Sequence, residues 1–233
     1  FTQGAVTDAE QSRGVGVQLN LSDPSQRVRL GAGVTQSRFH NPFDPLLAGD
    51  TTVVATRAES RRARYGALDV QLLQQVALGG SVRASLAATA RHERVDPLYR
   101  SVGAFVQGDQ QVDGGELTGS VGALAVQAAS SRARDNLAGI PSILTTRTTR
   151  RALSLAAPLH GLLGLSPRGW LPVTNVAWEG TAQAGDELPV NSDFQPTHVP
   201  NQFNRNRTAA LSWSPARLAF AYRWNESLQD NRQ

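Results

Sequence analysis

The chain has no cysteine and no methionine, and its 23 basic residues are all arginine. Without cysteine it can build neither a disulfide framework nor a thiolate metal site. It has no run of about 18 apolar residues, so no stretch can cross a bilayer as a helix. No charged-then-apolar leader opens it. It begins at Phe1, not methionine, which predicts a segment of a longer or processed chain. Aromatic residues are scarce, at 6% of 233 positions, and helical periodicity is scarcer still. The net charge is +4 and the pI about 10.5, a balance that invites a nucleic-acid partner. The arginines, however, are mostly scattered singly, and no nucleic-acid-binding signature accompanies them. The expectation is no nucleic-acid partner.

What is present is alternation with period two, the mark of strands with one apolar and one polar face. Val15, Val17, Leu19 and Leu21 alternate with glycine or polar residues, and Asp23-Pro24-Ser25-Gln26 then supplies a turn. Val28, Leu30, Ala32 and Val34 follow against Arg27, Arg29 and two glycines. The figure repeats with Leu68, Val70, Leu72 and Val76, and with Val82 through Ala90. Leu117 and Val121, then Leu124, Val126 and Ala128, then Leu153, Leu155 and Ala157 continue it. A strand near 170–181 has no clear face. Ala209, Leu211 and Trp213, then Leu218, Phe220, Tyr222 and Trp224, complete ten predicted strands.

The connections alternate in length. Short ones fall at 23–26, 78–80, near 122, 158–169 and 214–216. Long polar ones fall at 40–60, 94–113, 134–146 and 182–205. Short turns at one end and long loops at the other are the pattern of an outer-membrane barrel. Aromatic side chains collect at the two interfaces of such a barrel. Trp170 and Trp213 flank the short connections. Trp224 stands roughly 18 Å higher for strands tilted by about 40°, and Trp178 has the same relation to Trp170. The predicted interface aromatics are Trp170, Trp178, Trp213, Tyr222 and Trp224. The competing reading makes them core anchors of a soluble sandwich.

The polar faces hold too many arginines to bury unpaired in a small core, which favours a wet interior. Its predicted lining is Arg27, Arg29, Arg83, Arg91, Arg150, Arg217 and Arg223, with Asp69, Glu93 and Glu116. This excess of positive charge would favour anionic solutes.

Residues 14–34, 66–91 and 207–231 together resemble bacterial outer-membrane β-barrel proteins of the porin or receptor-type transporter kind. The resemblance implies an antiparallel up-and-down transmembrane barrel, or part of one, in a Gram-negative outer membrane. It implies a channel or transporter for small solutes, with membrane lipid as its surroundings. The alternative is a non-conducting surface scaffold or adhesin whose long loops bind a protein partner. Two features depart from the pattern and predict a segment of a larger barrel. The last residues are Asp230-Asn231-Arg232-Gln233, without a terminal aromatic, and both ends fall on the long-loop side.

Chemistry-bearing patterns are weak. His40, His92, His160 and His198 have no neighbour at a strong metal-ligand spacing. No Gly-x-Ser-x-Gly elbow occurs. A rim enzyme would draw on His92, Asp96, Asp135 and His198, and a loop calcium site on Asp109, Asp113 and Glu116. Solvated polar residues account for both sets, so neither enzyme nor cofactor is expected. The segment Arg94 to Ser101 stands out as a distinctive loop.

Overall fold

The computed structural model describes residues 11–40, 59–80, 82–99, 107–159, 171–185, 188–190, 195, 199–213 and 218–231. Within them lie β1 (Gln11–Ser22), β2 (Val28–His40), β3 (Glu59–Gly79), β4 (Val82–Val95) and β5 (Gln110–Val121). They are followed by β6 (Leu124–Asp135), β7 (Thr146–Pro158), β8 (Val173–Gly185), β9 (Asn201–Trp213) and β10 (Phe220–Asn231). The ten strands pair antiparallel in chain order as one up-and-down sheet, with no helical element among the described residues. The all-β, ten-strand architecture is the one the alternation predicts. β1 and β10 do not pair with each other, so the sheet is open along both. The expected barrel closure is not formed by these strands alone.

Turn chemistry sets the hairpins. After β1, Asp23 Oδ1 accepts the Val28 N–H at 2.7 Å, while Asp23 Oδ2 accepts the Ser25 hydroxyl and N–H. These bonds, the Ser25 hydroxyl foremost and then the Val28 N–H, hold the Asp23 carboxyl below the usual carboxylate range. Gly122 turns β5 into β6 at φ 57°, a conformation that glycine adopts without steric cost.

The register sorts the side chains into two faces, because opposed residues share a face. One face carries Val15, Val17, Leu19 and Leu21, then Leu30, Leu68, Ala88, Leu117, Ala128, Leu153 and Val176 on successive strands. The other carries glycine, serine, threonine, glutamine and charge. Among the described residues no second layer covers the apolar face. Val15 is 75% exposed, Leu153 48% and Trp224 44%, and among the described residues the buried apolar ones are only Ala84, Val95 and Ala157.

The strands run further toward the long loops than the alternation reveals. β1 starts three residues before Gly14, and β3, with bulges at 71–73, 73–76 and 77–79, reaches back to Glu59. In these extensions the apolar face turns basic. The first arginine beyond the apolar run is Arg13 on β1, Arg38 on β2, Arg64 on β3 and Arg94 on β4. It is Arg132 on β6, Arg151 on β7 and Arg207 on β9. These do not share one hydrogen-bonded row. The row through Arg207 passes Trp178, Leu153, Ala128, Leu117, Ala88, Val70 and Val28. Val28 pairs with Asp23, ten residues along from Arg13. Ten residues over the eight steps from β1 to β9, at about 3.3 Å per residue and about 4.8 Å between strands, is a slant of about 40°.

Candidate functional site: the polar face

Alternation on each strand positions the polar face, and the register assembles it. Arg29 opposes Asp69, Asp69 opposes Thr89, and Thr89 opposes Glu116. The Thr89 hydroxyl donates to Asp69 at 2.7 Å, and Gln127 Nε2 donates to Glu116 at 2.7 Å. Arg83, Arg91, Glu93, Arg150 and Arg223 fall on the same face. Arg27 adjoins this side in the first turn, where its carbonyl accepts the Gln71 N–H at 2.7 Å. The structure thus gathers the sequence-predicted lining residues on one side. Arg217 lies outside the described residues.

The expected surplus of positive charge on this face shrinks. Glu179, opposed to Ala152, and Asp135, opposed to Gln110, also belong to it, and Arg150 Nε lies 2.8 Å from Glu179 Oε1. With Arg61, the described strand positions other than Glu59 supply six arginines and five carboxylates. The apolar face carries the real excess, eleven arginines against Asp113, Glu226 and Asp230. Sequence reasoning missed these partners because Arg150 and Glu179 are 29 residues apart and meet only through register.

A hollow of about 400 Å³ opens on the polar face over the Gly114-Gly115 pair of β5. Arg91, Glu116, Ser131 and Arg150 border it. Gly114, which opposes Arg91 and Ser131, puts no side chain into this space. Arg91 forms no ion pair among the described residues, so it is the cation the hollow offers. Nearer the long loops, the Asp96 segment folds over this face. Asp96 Oδ2 accepts the Arg62 N–H at 3.3 Å, its carbonyl accepts the Tyr99 N–H at 3.2 Å, and the Tyr99 hydroxyl meets Thr35 Oγ1 at 2.8 Å. Thr35 belongs to β2, two strands away, so the segment from Asp96 to Tyr99 crosses β3 on the polar face, on the side of β4 away from the hollow.

The other candidates have local occupations. His92 Nδ1 lies 2.6 Å from Asp113 Oδ1, across β4 and β5 on the apolar face, whereas Glu93 points the other way. Asp113 and Glu116 fall on opposite faces and cannot share a calcium ion. Asp109 Oδ1 accepts the Leu137 N–H at 2.7 Å, joining two loops, and Asp135 Oδ1 accepts the Thr146 N–H. No group of three His, Asp or Glu able to hold a metal occurs among the described residues.

Of the aromatics, Trp178 opposes Arg207, and its ring lies against Gly180, where a Cβ would meet it at 2.9 Å. Trp224 opposes Ala209, two residues along β9 from Arg207 toward the turn end, and Tyr222 opposes Leu211. The Trp213 backbone opposes Phe220 at the turn end, while its side chain, Trp170, His160 and His198 lie outside the described residues. No described helix is long and apolar enough to cross a membrane, which says nothing of crossing by strands. No family model, curated protein or solved structure matches the chain.

Proposed function

We propose that these ten strands are a lipid-facing barrel, or the wall of one, in a bacterial outer membrane, and that the polar face lines a path for small solutes. One observation carries the reading: among the described residues the apolar face is uncovered, and it ends along a line slanted about 40° from the hydrogen-bonded rows that cross the strands. Barrel strands tilt by 35–45° from the barrel axis, so a flat membrane boundary cuts them at that slant. On β4 the apolar run from Val82 to Ala90 spans about 20 Å along such an axis, near the ~25 Å apolar band of these barrels. A soluble sandwich would instead cover this face with a second sheet. Near balance of charge makes the path selective through Arg91 locally, with small anions favoured at the hollow. The reading contains no catalytic step.

The packed loops favour a second reading. Leu188, Val190, Ile140 and Ile143 line a hollow of about 480 Å³ beside Arg134 and Arg147, suited to a protein partner on a non-conducting scaffold. Planar-bilayer recording separates the two. The channel gives steady conductance whose anion preference falls in Arg91→Ala and rises in Glu116→Gln. Absence of conductance, with partner capture lost on exchanging residues 137–144, favours the scaffold and rejects the channel.

A further inference from the structure

The arginines of the apolar face are not explained by a path on the opposite face. We infer that they form a belt that docks on the phosphate groups of the lipid leaflet at the long-loop end. The inference rests on the membrane reading above and adds to it an oriented lipid partner. Placement is the first argument. Arg13, Arg151 and Arg207 each stand two residues beyond the last apolar side chain of their strand, namely Val15, Leu153 and Ala209. At the observed slant, two residues rise about 5 Å. The headgroup layer occupies roughly the first 5–8 Å outside the hydrocarbon. The belt therefore sits at phosphate depth when the apolar band sits in hydrocarbon.

Charge is the second argument. Arg13, Arg64, Arg132 and Arg151 are exposed and form no ion pair among the described residues. Arg207 is only 3.7 Å from Glu226, which it shares with Arg205. Guanidinium groups bind phosphate bidentately and carry an apolar stem that lies along lipid. Polarity is the third. At the turn end the same face offers Leu21, Val28, Val82, Leu124 and Phe220, without an arginine among the described residues. The belt thus marks one leaflet and fixes the direction of insertion.

The test transfers the full chain from detergent into vesicles of phosphatidylcholine alone, or of four parts phosphatidylcholine to one part phosphatidylglycerol, followed by flotation. The expected result is insertion into both, at least tenfold stronger into the anionic vesicles at low salt, with the gain shrinking as salt is added. The combined Arg64→Gln, Arg132→Gln, Arg151→Gln variant loses that gain, at about fivefold per arginine. The combined Arg29→Gln, Arg83→Gln, Arg223→Gln variant keeps it. Bisphosphorylated lipid A incorporated in place of phosphatidylglycerol gives the same preference, and its monophosphorylated form a weaker one. Equal partition into neutral and anionic vesicles, or a preference insensitive to salt in the unaltered chain, overturns the belt and leaves the membrane reading standing. A chain that keeps its β circular dichroism yet enters neither vesicle overturns the membrane reading itself.

Discussion

Asn136 shows how single residues fix the loop end. It is 3% exposed and sits at φ 48°. Its Nδ2 donates to the Ile140 carbonyl at 3.0 Å, the Ile143 carbonyl at 3.1 Å and Thr145 Oγ1 at 2.9 Å, and its Oδ1 accepts the Ile140 N–H at 2.9 Å. Asn136→Ala strands those groups in a buried site, at about 2–4 kcal/mol. Hydrogen exchange across 136–146 reads this as faster local opening, and Asn136→Gly, freed of the backbone strain, costs less. At Gly33 a Cβ would fall 2.3 Å from Tyr65 Cε1, since the ring crosses the β2 glycine that it opposes. Gly33→Ala is expected to cost about 1–3 kcal/mol, and a double-mutant cycle should recover most of it in a Tyr65→Ala background. Asp23 titrates in the first turn with its folded pKa depressed. Its stabilisation is therefore full above about pH 4 and is lost as pH falls through the lowered value. An NMR titration of the Asp23 carboxyl should place its midpoint below the usual carboxylate range, and Asp23→Asn should abolish that pH dependence.

At the scale of the strand, the missing side chain at Gly114 leaves room for the hollow. Gly114 lies on the polar face, where a Cβ would approach Ser131 Cβ at 3.5 Å, an ordinary contact. Gly114→Val therefore leaves the pairing of β5 with β6 intact and narrows the hollow. Unchanged circular dichroism with a lower single-channel conductance is the expected pair of results. Strands announce themselves in the sequence only where one face is apolar, because alternation needs contrast between faces. β4 and β10 were legible for this reason. The upper parts of β3 and β5, Glu59 to Arg64 and Gln110 to Gly115, are polar on both faces or interrupted by glycine, so Glu59, Ser60 and Gln110 to Asp113 read as loop and the residues between them and the alternating runs as no element. Face membership of the charged residues followed from position parity alone. Their partners did not, since His92 and Asp113 or Arg150 and Glu179 meet through a register that no local spacing encodes. The slanting boundary was hidden for the same reason.

At the scale of the molecule, ten strands with an uncovered apolar face are expected to sediment with membranes, to resist a high-salt wash and to come into solution only with detergent. A chain recovered as a stable monomer without detergent would contradict this. The same up-and-down order that leaves the face bare also shapes how the chain assembles. Each strand pairs only with its neighbours in sequence, so no pairing waits for a distant segment to arrive. Closing a short loop costs little entropy, and the large penalty that slows most β topologies is spread over nine small steps. Such a sheet can grow by successive hairpins from either end, each new strand templated by the last. Folding then resembles a zipper more than a collapse, and a defect in one hairpin delays the strands beyond it without scrambling those already joined.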